Sequence, residues 1–340
     1  MGEQRVIAPG AAPGNNEESS HSLPSPFRGE GEGGGRLDYR HLIFLLFLGS
    51  LLYLNALSGP FLFDDNVYIV NHPQVRQGES FVRYFTQGFC EGARAGCPYY
   101  RPLVALFYRM DFLIWGLNPF GFHLMSLMVH LLALGLFYKV IVTVFRERLT
   151  ALVAGTLFAV HPVHVESVAF LAARTDPPAT IFFLLSFLGF HLSLKKGRGS
   201  SYFYLLSLIT YGLSLLTKET GITLPLILLV YDLLWVRPWA GLRDLARRWP
   251  SYVPFAGVAL LYLFLRSLAV GFVVENLYGT DLSERLLNVP VLIRQYLSIM
   301  FFPYPLMIFH ESPVVASPGD PDFLISLLLL ILLVVLLIWG

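Results

Sequence analysis

Charge is what this chain has least of. Asp, Glu, Lys and Arg together make up 14% of its 340 residues, against about 25% in soluble domains. With 55% hydrophobic residues and a mean hydropathy of +0.60, lipid must replace water as the solvent for most of it. Neither sign dominates: the formal net charge is +1. No basic field exists to neutralise phosphates along a nucleic acid, so that class of partner is excluded. Cysteine is nearly absent as well. Cys90 and Cys97 are the only two, close together in one loop, where an oxidising compartment would let them pair as a disulfide.

Residues 1–38 are not expected to be a signal peptide. They contain no short apolar core with a small-residue cleavage site. Val6 stands where a myristoylation pattern needs Ser or Thr. This stretch is rich in Gly, Pro, Ser and Glu and is expected to be a disordered cytoplasmic tail.

What is present is a series of apolar runs of spanning length. They fall at 41–58, 122–145, 149–160, 179–194, 202–216, 221–236, 252–272 and 323–339, the third being short. Segment 286–302 carries Arg294 at its middle and suits an interfacial or re-entrant helix. Basic clusters at 146–148, 195–198 and 237–248 alternate with outer connections that hold few positives. The amino terminus is therefore expected inside, with Asp64 and Asp65 facing outward.

The first outer loop, 59–121, is too long for a plain connector. Its stretch YYRPLVALFYRMDFLIW places Leu103, Leu106, Phe107 and Met110 at helical spacing, which predicts an amphipathic helix lying in the interface. At its start, FLFDDNVYIVNHP sets two carboxylates within a residue or two of the membrane boundary. The pair reads either as two solvated loop acids or as a general base with a helper. A carboxylate at a partly dehydrated boundary has a raised pKa and can take a proton from a hydroxyl.

Other outer stretches add polar groups. HPVHVE carries His161, His164 and Glu166, a spacing that could present a metal-binding face. Pro162 breaks the helical register there, so second-shell hydrogen bonding competes with that reading. Arg174 suits bidentate phosphate recognition, while Asp176 before Pro177 reads as an N-cap with proline at the first helical position. Lys218 and Glu219 fit a mutual salt bridge at headgroup level, and Lys218 also adds positive charge to a face holding Arg101 and Arg174. His123, His130 and His191 lie within spans and read as hydrogen-bonded packing residues.

In order along the chain stand FDDNVYIVNHP, YYRPL, NPFGFHLMSLMVH, FAVHPVHVESVAFLAARTD, LSLLTKETGITLPLILLVYDLL and YLSIMFFPYPL. This series resembles the transmembrane and tetratricopeptide-repeat O-mannosyltransferase family and its bacterial relatives, from about residue 57 to 309. The resemblance implies an all-α polytopic fold: a GT-C-like helical bundle with a long first extracytoplasmic loop carrying amphipathic helices, here 39–340. It implies a polyprenyl-phosphate-linked sugar donor entering from the bilayer and an extracytoplasmic acceptor, with an acid of the first outer loop as base. Asp64 and Asp65 match that acid. Arg101, Arg174 and Lys218 match basic positions of the family's motifs, and their charge suits the donor phosphate.

Two departures stand out. The relatives carry a carboxy-terminal tetratricopeptide array, whereas this chain stops at Gly340 inside an apolar run, so it is either truncated there or lacks the repeats. Pro177 and Pro178 replace an aliphatic pair after the Arg-x-Asp motif.

The resulting expectation is an inverting membrane glycosyltransferase moving a sugar, mannose on the family's pattern, to an acceptor hydroxyl such as Ser or Thr of a protein. Its setting would be a bacterial inner membrane, or the endoplasmic reticulum membrane in a eukaryote. His161, His164, Glu166, Asp176 and Glu219 would support the site. The sequence demands no cofactor, and a divalent metal is compatible with it. The rival class is a transporter or flippase of lipid-linked sugars. Such a protein should place ionisable residues near the bilayer midplane on broken helices, and here they cluster at one boundary.

Overall fold

The computed structural model describes residues 37–89, 99–195, 199–236, 246–271, 282–304, 307 and 314–339. The expected tail disorder and the expected Cys90–Cys97 disulfide concern residues outside these. Every element among the described residues is helical. Four helices are long and apolar enough to cross a membrane: Tyr39–Ser58, Pro119–Phe145, Glu219–Val236 and Val253–Val270.

The first of these begins as α1 (Tyr39–Tyr53), whose N-cap Asp38 accepts from Arg40 N at 3.0 Å. Beyond it lies the long loop, which contains α2 (Pro73–Arg76), α3 (Phe81–Thr86) and α4 (Pro102–Trp115). Helix α5 (Pro119–Phe145) has 27 residues, about 40 Å at 1.5 Å per residue. Asn118 caps it and Pro119 supplies its first position, the pairing that best satisfies a helix start. Arg146, left-handed at φ 56°, ends it. Helix α6 (Arg148–Val160) has only 13 residues and packs with α1 and α5 around Leu45, Leu134, Tyr138 and Ala159.

After α7 (His164–Ala169), α8 (Asp176–Ser193) and α9 (Ser200–Thr217) run side by side. Their contact is built from small residues. Ser186 and Ser207 each donate a hydroxyl to the other's carbonyl at 2.7 Å. A Cβ on Gly189 would lie 2.9 Å from the Phe203 carbonyl oxygen. In lipid, where apolar burial gives helices no reason to associate, such close approach and interhelical hydrogen bonding hold a pair together. Helix α10 (Leu224–Tyr231), α11 (Val253–Val270), α12 (Leu282–Phe301) and α13 (Pro321–Trp339) complete the order. Segment 286–302 lies in α12 up to Phe301; the helix contains Pro290 and meets α13 through Arg294 and Asp322 at 2.7 Å.

The predicted helix exists as α4, with the apolar stripe turned outward as an interfacial helix requires and a separate protein-facing side. Its protein-facing side is Val104, Ala105, Tyr108 and Asp111, while Met110, Leu113 and Ile114 are exposed. The stripe through Leu103, Leu106, Phe107 and Met110 is the outer and half-buried one. Beside a bilayer, apolar side chains outside and a paired acid inside is the stable arrangement.

Candidate active site

The chain leaves the first span through a strained turn. Phe63 adopts φ 38°, a region costly for a bulky residue and found mostly where function or packing fixes it. Asp64 and Asp65 follow, and a single π turn over Asn66–Val70 comes next.

The two acids have different environments. Asp65 is 1% exposed; its Oδ2 accepts from Leu62 N at 2.8 Å and its Oδ1 from Ala172 N at 2.6 Å. Burial pushes its pKa up to about 6, against the lowering effect of those two amides and of Arg174. Asp64 is half-buried, and its carboxylate has no hydrogen bond or ion pair among the described residues. Asp65 thus clamps the turn that presents Asp64.

The partner in that clamp, the turn 171–174, is held from three sides. Tyr108 of α4 donates its hydroxyl to Leu171 O at 2.6 Å. Asp65 takes the Ala172 amide. Arg174 is 4% exposed; it reaches Phe122 O at 3.2 Å, lies over the Tyr108 ring at 4.9 Å and forms an ion pair with Asp111. Burial raises the Asp111 pKa, and Arg174 opposes that rise. Sequence reasoning missed Asp111 as a site residue. An acid at a buried position of an apolar helix was the available signal, because such a group needs a partner.

The remaining cations are paired too. Arg101 holds Glu219 in a fork, with Nε to Oε2 at 3.1 Å and Nη2 to Oε1 at 2.7 Å. Lys218 donates to Asp176 Oδ1 at 2.5 Å. Lys218 and Glu219 therefore do not bridge to each other; each turns to a different element. Asp176 lies in the first turn of α8 while Thr175 takes the N-cap position without a side-chain cap, so Asp176 serves Lys218 rather than the helix end.

HPVHVE lies at the same boundary without forming a metal cluster. Among the described residues no three His, Cys, Asp or Glu side chains come together to hold an ion. The His161 ring Nε2 lies 2.7 Å from Met300 O, tying this turn to α12, and its Nδ1 accepts from Val163 N. His164 packs against Phe158 with ring centroids 4.3 Å apart. Burial, and secondarily His161, pushes its pKa down to about 4, so it is neutral at pH 7. Glu166 is exposed. Of the span histidines, His191 meets Tyr231 OH at 2.5 Å. His130 packs against Tyr53 and Phe158, and its Nε2 is buried without a hydrogen bond among the described residues, which departs from the hydrogen-bonded reading.

A cavity of about 290 Å³ opens beside Arg174 and Asp111, walled by Phe107 and Met110 of α4, Met125 and Val129 of α5, and Ile181 and Phe182 of α8. The Asp111–Arg174 pair is its polar end. The geometry thus joins an unpartnered carboxylate, a set of cations at one boundary and an apolar cavity of the kind that takes a hydrocarbon chain.

Comparison with known proteins points the same way. Residues 98–267, half of the chain, match the model for the dolichyl-phosphate-mannose-protein mannosyltransferase family. Protein O-mannosyl-transferase TMTC1 of Homo sapiens is 41% identical over 197 residues, 54% of this chain and 22% of that protein. Protein O-mannosyl-transferase TMTC2 of Mus musculus is 33% identical over 194 residues, 54% of this chain and 23% of that protein. TMTC4 of Homo sapiens is 35% identical over 205 residues, 54% of this chain and 28% of that protein. The chain spans about a fifth to a quarter of the length of these curated relatives. No solved structure matches it.

Proposed function

Since this chain belongs to the dolichyl-phosphate-mannose-protein mannosyltransferase family, we propose that it transfers mannose from a polyprenyl-phosphate donor to a protein hydroxyl on the extracytoplasmic face. Asp64 is the base. One observation carries this assignment: Asp65, Asp111, Asp176 and Glu219 are each bound within the protein, whereas Asp64 has no partner among the described residues.

The reaction is a single displacement. The acceptor oxygen attacks the anomeric carbon as its proton passes to the Asp64 carboxylate. The bond from that carbon to the phosphate oxygen breaks on the opposite side, and its electron pair leaves with the phosphate, so the configuration inverts. Cations aimed at the departing oxygen stabilise the charge that develops there. Arg101 and Lys218, whose partners are partly exposed, can release a carboxylate for this more readily than buried Arg174. The cavity beside Arg174 takes the first isoprene units.

The test is transfer from a polyprenyl-phosphate mannose to an acceptor peptide by the wild type and by Asp64→Asn. Loss of a general base costs about 100- to 10,000-fold in rate. Donor binding should persist in that variant, since it needs no proton transfer. Transfer by Asp64→Asn at the wild-type rate would remove Asp64 from the mechanism. Lipid-linked sugar crossing vesicles without transfer would favour the transport reading instead.

A further inference from the structure

The end of the bundle opposite Asp64 gathers cations, of which Lys139 and Lys195 have no ion pair among the described residues. Helix α5 starts near the loop that carries Asp64, where Phe122 stacks edge-on against Phe61. Its far end lies about 40 Å away and bears Lys139 and Arg146. Lys195 follows two residues after the end of α8. The ends of these two helices and of the span containing α10 are joined by Val140, Val144, Phe187 and Tyr231.

The described acids of that end are engaged elsewhere. Asp38 caps α1 and lies 3.9 Å from Arg148. Glu147 caps α6 by accepting from Leu149 N and Thr150 N. Asp232 accepts the Tyr252 hydroxyl at 2.9 Å. Lys139 and Lys195 have no ion pair among the described residues. Burial, and then the fields of Arg146 and Lys139, lower the Lys195 pKa, so these charges press on one another.

Helix dipoles account for only part of this. A cation near a C-terminus offsets the dipole within the last turn, which covers Arg146 and Lys195. Lys139 sits further back and gains little that way. Directly beside the cluster, Phe145 and Trp235 are both exposed, with ring centroids 6.3 Å apart. An aromatic pair next to cations at a helix end is the signature of a lipid headgroup boundary.

We propose that Lys139 and Lys195, beside Arg146, bind the phosphate of an anionic phospholipid in the leaflet opposite Asp64, with Phe145 and Trp235 against its glycerol and upper acyl region. This site is separate from the proposed transfer reaction and does not depend on it.

Native mass spectrometry of the full chain in neutral detergent, with phosphatidylglycerol or phosphatidylcholine added, reads the bound lipid. The wild type should retain phosphatidylglycerol preferentially. Lys139→Gln and Lys195→Gln should each lower that retention about fivefold, the equivalent of about 1 kcal/mol per cation. Lys139→Arg and Lys195→Arg should keep it, which separates loss of charge from loss of fold. Arg83→Gln, which removes an exposed cation paired with Glu79 in the first loop, should leave it unchanged. Equal retention of the two lipids by the wild type, or unchanged retention in the double Gln variant, overturns the proposal. Inorganic phosphate binding as tightly as phosphatidylglycerol overturns the assignment to a lipid.

Discussion

Oδ1 of Asp65 accepts the amide hydrogen of Ala172 at 2.6 Å, across 107 residues of chain. This bond joins the first outer loop to the turn after HPVHVE, and Tyr108 holds that same turn from the other side. The two acids therefore differ, one fixing the loop and the other, Asp64, with no partner for its carboxylate among the described residues.

The clamp makes stability pH-dependent with a definite sign. The Asp65 pKa rises from an ordinary 3.8 to about 6 on folding, because burial disfavours the charged form. Its contribution is thus fully present below about pH 4 and is lost as pH rises through about 6. Unfolding midpoints in detergent between pH 4 and 7 should fall across this window in the wild type and stay flatter in Asp65→Asn. A parallel fall in both proteins would mean that another group titrates there.

Asp65→Ala removes the acceptor for two amides at once. Leaving a buried N–H unsatisfied costs about 1–3 kcal/mol, so the variant should unfold well below the wild type in a thermal melt. Asp64→Ala, which frees no partner, should melt near the wild type.

Arg174 and Asp111 are 4% and 3% exposed, and removing one leaves the other as a buried charge. Arg174→Met or Asp111→Leu alone should cost about 3–5 kcal/mol. The double substitution should recover most of that loss, since neither charge then lacks a partner. A double-mutant cycle on unfolding midpoints measures the coupling; simple additivity would show that the pair does not act as a unit.

Arg101→Lys keeps the charge and loses the two-point fork to Glu219. A lysine reaches one oxygen at a time. With Glu219 partly exposed, the stability cost should be about 1 kcal/mol or less. Donor affinity, measured by titrating a polyprenyl-phosphate sugar, should change by a larger factor if Arg101 holds the phosphate through that fork.

Gly189→Ala sets a methyl group 2.9 Å from the Phe203 carbonyl oxygen, a backbone atom that cannot rotate away. Overpacking of this kind costs about 1–3 kcal/mol, and the α8–α9 contact should loosen, read as a lower melting midpoint. Gly257→Ala meets nothing within 4 Å and should be neutral or slightly stabilising, because alanine favours the helix.

The membrane class, the long first loop, the acids at its start and the cations at one boundary were legible from the sequence, because apolar runs and ordered local motifs carry them. The inner side of α4 was not. Periodicity says that Leu103, Leu106, Phe107 and Met110 share a face, but the opposite side with Val104, Ala105, Tyr108 and Asp111 also packs against protein, and no local pattern announces that second contact. The ion pairs were also hidden. Arg174 finds Asp111 across 63 residues, and Lys218 finds Asp176 across 42; no spacing rule relates residues that far apart. For Lys218 and Glu219 the sequence leaves a mutual salt bridge and a shared cationic face both open; the backbone after α9 sends the two side chains in different directions.

The pairing of Arg101, Lys218 and Arg174 with acids makes the resting site nearly electroneutral. An anion that uses any of these cations must displace a carboxylate already tethered nearby, a competitor whose effective concentration lies in the millimolar range or above. Free phosphate and other dilute dissolved anions compete poorly on those terms. An anion confined to the bilayer plane, delivered repeatedly to the same boundary by its own hydrocarbon tail, meets them far better. On the proposed function, the acids would work as a threshold, admitting anions by how they arrive rather than by charge alone.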